Sequence, residues 1–335
     1  MKNSLSFDDV LLEPKYSEIK SRSEVDIGSF LDFSETVYLE LPVISSPMDT
    51  VTEDEMAWAI YDEGGLGVIH RYNTIEQQVT LVKKRRAFMA AAVGATGDYE
   101  SRARALVDAG IRYLCLDVAH GHHASVKNAL ETLRSAFGDE VHLMAGNVAT
   151  LEAFNDLADW GANSIRVGIG GGSICSTRIN TGHGVPTFQS IQDCSYSNRN
   201  AKIIADGGIK NSGDIVKALA AGADFVMLGS MLAGTDESPG EVFTSGNKKY
   251  KVYRGMASRS AQMDWRGKSS SPEGISTTIP YKGPVADILR DIGGNIRSGF
   301  SYTGAYNLEE LQSKAVFLRQ TAAGQYESST HILRR

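Results

Sequence analysis

The chain has 335 residues, 42% of them hydrophobic and 22% charged, with 34 glycines against 8 prolines; that suits one large core with many tight turns and excludes a wholly disordered polypeptide. A formal net charge of −6 argues against nucleic acid or an anionic membrane as partner, since both call for a basic surface. Three cysteines without C-x-x-C spacing, Cys115, Cys175 and Cys194, exclude a disulfide framework and a zinc knuckle.

Residues 1–9 hold no apolar signal core, and no run of about 18 uncharged apolar residues occurs; a cytoplasmic protein is expected. From there strands and helices alternate. A strand at Leu41–Ser45 precedes a helix at Glu53–Asp62, Leu66–Ile69 precedes Ile75–Arg85, Met89–Val93 precedes Tyr99–Ala109, Tyr113–Val118 precedes Ser125–Ala136, and His142–Ala145 precedes Leu151–Trp160. Strands at Ser164–Val167, Lys202–Ala205 and Phe225–Leu228 complete the set, with a helix at Ser212–Ala221 between the last two. Thr74 and Ser212 read as helix caps. Near-continuous apolar strands in this rhythm predict an α/β fold, a (β/α)₈ TIM barrel in preference to an open doubly wound sheet, as one domain over residues 1–335. Two long segments interrupt it, a loop at 168–186 and a flap at about 257–281, and long loops after barrel strands form the active-site mouth.

The first of these, Gly168-Ile169-Gly170-Gly171-Gly172-Ser173-Ile174-Cys175-Ser176-Thr177-Arg178, brings backbone N–H groups close to a ligand or ion without the dinucleotide G-x-G-x-x-G context. Cys175 ends it as either a nucleophile or a small buried hydrophobe. Cys115 and Cys194 read as packing or chance. Asp206-Gly207-Gly208 and Gly229-Ser230, after the last two strands, are expected to hold a phosphate by backbone donors, with Asp206 on ribose hydroxyls. Asp49, Asp117 and Asn147 also sit at strand ends. His120-Gly121-His122-His123 reads as a helix start with an exposed histidine pair rather than a metal site; the His70-Arg71 pair either meets substrate or bridges the rim.

The motifs Ser6-Phe7-Asp8-Asp9-Val10-Leu11-Leu12, Ser45-Ser46-Pro47-Met48-Asp49-Thr50, Gly146-Asn147-Val148-Ala149-Thr150, the Cys175 loop, Ile204-Ala205-Asp206-Gly207-Gly208-Ile209, Met227-Leu228-Gly229-Ser230 and Tyr253-Arg254-Gly255-Met256 are together specific, and through them the chain resembles the inosine monophosphate dehydrogenase and GMP reductase superfamily from end to end. The resemblance implies a homotetrameric barrel in which the Cys175 thiolate attacks purine C2 and a nicotinamide cofactor exchanges hydride there. By position it assigns Thr177 and Glu273 to the chemistry, with Ser46, Met48, Ser173, Asp206, Gly208, Gly229, Ser230, Tyr253, Gly255 and Met256 on the nucleotide. Asp117 and Asn147 fall on the cofactor side, and the carbonyls of Gly168, Gly170 and Cys175 would hold potassium.

Within that superfamily the GMP reductase branch, taking NADPH and GMP, is favoured over the NAD-dependent dehydrogenase acting on IMP. Leu81-Val82-Lys83-Lys84-Arg85-Arg86 runs directly into Ala87-Phe88, so the dehydrogenase's regulatory insertion is absent, and the flap from Arg259 to Pro272 lacks the hydrolytic Arg-Tyr pair. Against this stand Ser45-Ser46-Pro47-Met48, the tail Glu327-Ser328-Ser329-Thr330-His331, and Trp265-Arg266 as a displaced flap arginine. Gly171 and Ser176 depart from the usual proline and threonine. A non-catalytic nucleotide-binding protein is disfavoured by the intact Cys175, Thr177 and Glu273.

Overall fold

The structure, a computed structural model, describes residues 3–85 and 88–328; Met1, Lys2, the junction residues Arg86 and Ala87, and Ser329, Thr330 and His331 of the tail lie outside the described residues. Eight strands, β1 (Val43–Ser45), β2 (Leu66–Ile69), β3 (Met89–Val93), β4 (Tyr113–Asp117), β5 (His142–Val148), β6 (Ser164–Val167), β7 (Lys202–Asp206) and β8 (Phe225–Leu228), close into a barrel. Every neighbouring pair is parallel, including β8 with β1 across the closure, where Met227 faces Ile44. The expected ends shift at four strands: β1 starts at Val43, β4 stops at Asp117, β7 runs to Asp206, and β5 runs through a bulge between Gly146 and Val148 instead of ending at Ala145.

The outer ring holds α1 (Asp54–Asp62), α2 (Ile75–Lys84), α3 (Tyr99–Asp108), α4 (Ala124–Phe137), α5 (Leu151–Asp159), α6 (Thr187–Cys194), α7 (Ser212–Ala220) and α8 (Val285–Thr303). Thr74 caps α2 as expected, its hydroxyl accepting from the Gln77 N–H. For α7 the cap is Asn211 rather than Ser212, its side chain accepting from the Asp214 N–H; Ser212 is already helical. The sequence reading missed α6 and α8, and α8 closes the ring against α7 and α1.

Strand side chains alternate between two cores. Ile165, Val167, Ala205 and Val226 face the helices, whereas Ile44, Val68, Ala92, Cys115, Met144, Ile204, Phe225 and Met227 fill the barrel. A hairpin of Ser29–Phe30 and Tyr38–Leu39 adds Leu31 and Leu39 to that filling, beside Phe88 and Tyr113 at the strands' N-terminal ends. That end is therefore plugged. Cys194 lies buried on α6 and Cys115 inside the barrel, and burial pushes both thiols up to about 12; neither is a nucleophile near neutral pH. Among the described residues no helix is long and apolar enough to cross a membrane.

Candidate active site

At the strands' C-terminal ends the inward alternation reaches polar side chains. Asp117 on β4, Arg166 on β6 and Asp206 on β7 share the parity of Cys115 and Ile204, so they point into the barrel mouth. The Arg166 guanidinium lies 2.6 Å from Asp117 Oδ1 and 2.9 Å from Asp206 Oδ2. Its side chain is 8% exposed, so the ion needs both partners. Burial pulls the Arg166 pKa down, but Asp206 and Asp117 outweigh it and hold the pKa well above the ordinary value. Gly146 leaves the room, since a Cβ there would stand 2.6 Å from that of Arg166. Asn147 Nδ2 also donates to Asp206 Oδ2, at 2.9 Å, which leaves Asp206 Oδ1 to accept from a ligand. The sequence reading missed Arg166; its only signal was the shared parity with Asp117 and Asp206.

The Asp206-Gly207-Gly208 turn packs against the Cys175 loop. Gly207 and Gly208 take φ of 93° and 79°, and a Cβ on Gly207 would meet Gly172 N at 3.0 Å; side chains at either position would be strained. Among the described residues the N–H groups of Gly208, Gly229 and Ser230 pair with no carbonyl. Adjacent turns with free donors make an anion site. A Cβ on Gly229 would lie 3.2 Å from Tyr253 Oη and 3.4 Å from both Met48 Sδ and Ser46 Oγ, so these four expected residues meet. Tyr253 Oη lies 3.4 Å from Ser173 Oγ, and burial raises its pKa, keeping a proton to donate.

Cys175 is half-buried and stands beside Thr177, the first residue of a short helix, Thr177–Thr181. Its Sγ lies 3.2 Å from Thr177 Oγ1, which donates to Glu273 Oε2 at 2.7 Å. The flap is not a bare loop. It contains the helix Arg259–Arg266 and the strand Ser276–Pro280, which completes a small sheet with Phe243–Ser245 and Lys248–Arg254. The Ser176 N–H donates to the Glu273 carbonyl at 2.9 Å and the Ile275 N–H to that of Ile174 at 3.0 Å, which stitches flap to loop and fixes the relay. Gly255 donates its N–H to the Ile275 carbonyl at 3.0 Å. Met256 Sδ accepts from the Asp49 N–H at 3.4 Å, while the Asp49 carboxylate is taken up by Arg254, 2.6 Å away.

Beside Asp117 lies a second cluster. Arg71 donates to the Asp117 carbonyl at 3.1 Å, and the Tyr72 hydroxyl lies 3.4 Å from Asp117 Oδ2; burial and then Asp117 raise the Tyr72 pKa, so its phenol stays protonated. Arg71 thus turns into the mouth, whereas His70 is buried against Glu53 at 3.1 Å. Arg71 Nε, Trp265 Nε1 and Asn147 Oδ1 are buried without a hydrogen-bond partner, the donors and acceptor that a polar ligand here would satisfy. Of the carbonyls expected for potassium, that of Gly168 already accepts from Asn147 Nδ2 at 2.8 Å. The histidine pair is only half as expected: His123 is exposed and caps α4, but His122 is partly buried with its Nε2 2.7 Å from Asp156 Oδ2. No cluster of three or more metal-ligating side chains occurs among the described residues.

The chain is similar to known proteins along its length. The family model described as the IMP dehydrogenase / GMP reductase domain matches residues 4–331. An inosine-5'-monophosphate dehydrogenase of Nitrosopumilus maritimus is 33% identical over 98% of this chain and 98% of its own length, and a GMP reductase of Leishmania major 31% identical over 98% and 96%. Those alignments span 471 and 476 residues, more than this chain contains, so relatives of both kinds carry residues without counterpart here. A crystal structure of a cysteine-to-alanine variant of Trypanosoma brucei GMP reductase, in complex with guanosine 5'-monophosphate, superimposes with a TM-score of 0.93 at 30% identity, covering 99% of this chain and 98% of that one.

Proposed function

The chain belongs to the IMP dehydrogenase / GMP reductase family, oxidoreductases of purine nucleotide metabolism that use a nicotinamide nucleotide, and from that premise we propose that it is a GMP reductase. One observation carries the choice: the chain of groups from Cys175 through Thr177 ends on the Glu273 carboxylate, and among the described residues no flap arginine hydrogen-bonds into it. The absent insertion does not separate the branches, since the Leishmania reductase also exceeds this chain in aligned length.

In this reading the phosphate lies on the N–H groups of Gly208, Gly229 and Ser230 with the Ser173 and Tyr253 hydroxyls, and Asp206 Oδ1 accepts from the ribose. Ser46, Met48, Gly255 and Met256 line the nucleotide. Cys175 Sγ forms a bond to purine C2 while its proton passes through Thr177 to Glu273. Glu273 returns a proton to the departing amine, which leaves as ammonia. Asp117 and Asn147 would hold the reduced nicotinamide, which would supply hydride to C2, and breakage of the Sγ–C2 bond with uptake of a proton on sulfur would restore the thiol. Overall, GMP, NADPH and two protons give IMP, NADP⁺ and ammonium. A cytoplasmic homotetramer completes the proposal.

The second reading, oxidation of IMP to XMP with NAD, keeps its sequence support and gains from the structure an arginine exposed on the flap helix: Arg266, stacked 4.0 Å from the Trp265 ring centre. Absorbance of the reduced nicotinamide, followed with GMP plus NADPH and separately with IMP plus NAD, tests the choice. Oxidation in the first mixture should be the faster; faster reduction in the second overturns the reductase reading.

A further inference from the structure

The flap helix Arg259–Arg266 carries a tryptophan whose packing leaves a donor unused. Ser258 caps the helix, its hydroxyl accepting from the Ala261 N–H at 3.3 Å, and Gly267 ends it at φ 68°. Gln262 is 4% exposed and binds both sides of the flap, donating to the Ala257 carbonyl and accepting from the Ser270 N–H, each at 2.9 Å. The helix is thereby held in register with Glu273, whose N–H donates to the Ala257 carbonyl at 3.1 Å.

Trp265 projects from this helix against the Asp117 side of the mouth. Its ring meets that of Tyr72 edge-on at 5.2 Å, and the Arg71 guanidinium stands 5.9 Å from its centre and 5.0 Å from that of Tyr72. Both neighbours contact Asp117. The indole Nε1–H is donor-only, buried and without a hydrogen-bond partner; Arg71 Nε makes no hydrogen bond either and stands 3.8 Å from Asp117 Oδ2, while Asn147 Oδ1 is an acceptor without one. A phenylalanine would give the same edge-on contact with Tyr72 without burying an orphan donor, so packing does not account for the indole nitrogen.

We propose that Trp265 is a cofactor-binding residue of the flap, its Nε1–H donating to an acceptor oxygen of the reduced nicotinamide dinucleotide bound along Tyr72, Arg71 and Asp117. This rests on the reductase reading for the identity of the dinucleotide. Trp265 sets affinity for the dinucleotide and leaves that for the purine nucleotide alone, since the phosphate and ribose contacts lie at the ends of β7 and β8, in the Cys175 loop and on Tyr253.

The test uses the full-length protein carrying Cys175→Ala throughout, so that GMP and NADPH bind without reacting, saturated with GMP and labelled with ¹⁵N at its three tryptophans, Trp58, Trp160 and Trp265. On titration with NADPH the Trp265 indole proton, assigned by its loss in Trp265→Phe, should move downfield while the other two hold. Calorimetry should show Trp265→Phe binding NADPH about five- to tenfold more weakly, the loss expected for one hydrogen bond, with GMP affinity unchanged within about twofold. An unmoved Trp265 signal at NADPH saturation, or equal NADPH affinity with and without Trp265→Phe, overturns the assignment. NAD titrated in the presence of IMP separates the two claims: if the indole responds to NAD while NADPH does not bind, the flap contact stands and the reductase reading falls.

Discussion

At the N-terminal end of the barrel the hairpin sets Leu31 and Leu39 against Phe88, Tyr113 and Phe225, and the titratable His142 there is held neutral: burial lowers its pKa to about 4. At the C-terminal end Arg166 spans Asp117 and Asp206, and Arg71 Nε and Asn147 Oδ1 stay buried without hydrogen-bond partners. Buried charge and orphaned donors cost stability. One end of the barrel is therefore filled mainly by apolar packing, although His142 Nδ1 is left without a partner there, and the other gathers charges and unpaired polar atoms that a ligand would satisfy.

The largest expected effect lies at the charged end. Cys175→Ala should reduce turnover by about 10⁴-fold or more, because the nucleophile forms the bond at C2, yet leave GMP binding within about tenfold, since phosphate and ribose are held by other loops. Stability should hardly change, Cys175 being half-buried at the rim. Appreciable turnover in the verified variant, or loss of GMP binding in calorimetry, would break the division between chemistry and grip.

Next comes Arg166→Met, which leaves two nearly buried carboxylates facing each other without their cation. The expected cost is about 3–5 kcal/mol of stability near neutral pH, read by chemical denaturation, with weakened GMP binding because Asp206 loses its orientation. Acid should recover part of that stability by protonating one of the carboxylates. A variant as stable as the parent across pH would show that Arg166 does not bridge the two.

Much of this was legible in the sequence, for uneven reasons. Leu66–Ile69, Met89–Val93, Ser164–Val167 and Phe225–Leu228 were read to the residue, because buried parallel strands are short apolar runs between turn residues. Helix α6 escaped because its buried face mixes Phe188 and Ile191 with Thr187, Ser190 and Cys194, which blurs an apolar stripe. In α8 the spacing Val285, Leu289, Ile292, Ile296, Phe300 was there to read, but Gly293, Gly294 and Gly299 lower helix propensity. Gly299 has a packing reason: a Cβ there would stand 2.7 Å from Val216 on α7. Within the site, the glycine turns and Cys175 announced themselves by composition. Arg166 did not, since a lone arginine in an apolar strand gains meaning only from the charges that closure of the barrel sets beside it.

The smallest effect belongs to the packed end and should have the opposite pH sign. His142 Nε2 lies 2.8 Å from Ser164 Oγ and Nδ1 is buried without a partner. Burial is the main cause that lowers its pKa from 6.5 to about 4, with Arg134 lowering it further and Asp32 opposing. A histidine depressed in the folded state binds its proton first in the unfolded chain. Stability is thus fully present above about pH 6.5 and is drained as pH falls toward about 4, by up to about 3 kcal/mol for a shift of this size. His142→Gln keeps a polar group near Ser164 without a titrating one, so its denaturation free energy should fall less than that of the parent between those pH values, even if it starts lower. Parallel pH profiles for the two proteins would show that His142 is not held neutral, and the contrast between the ends of the barrel would then rest on the C-terminal end alone.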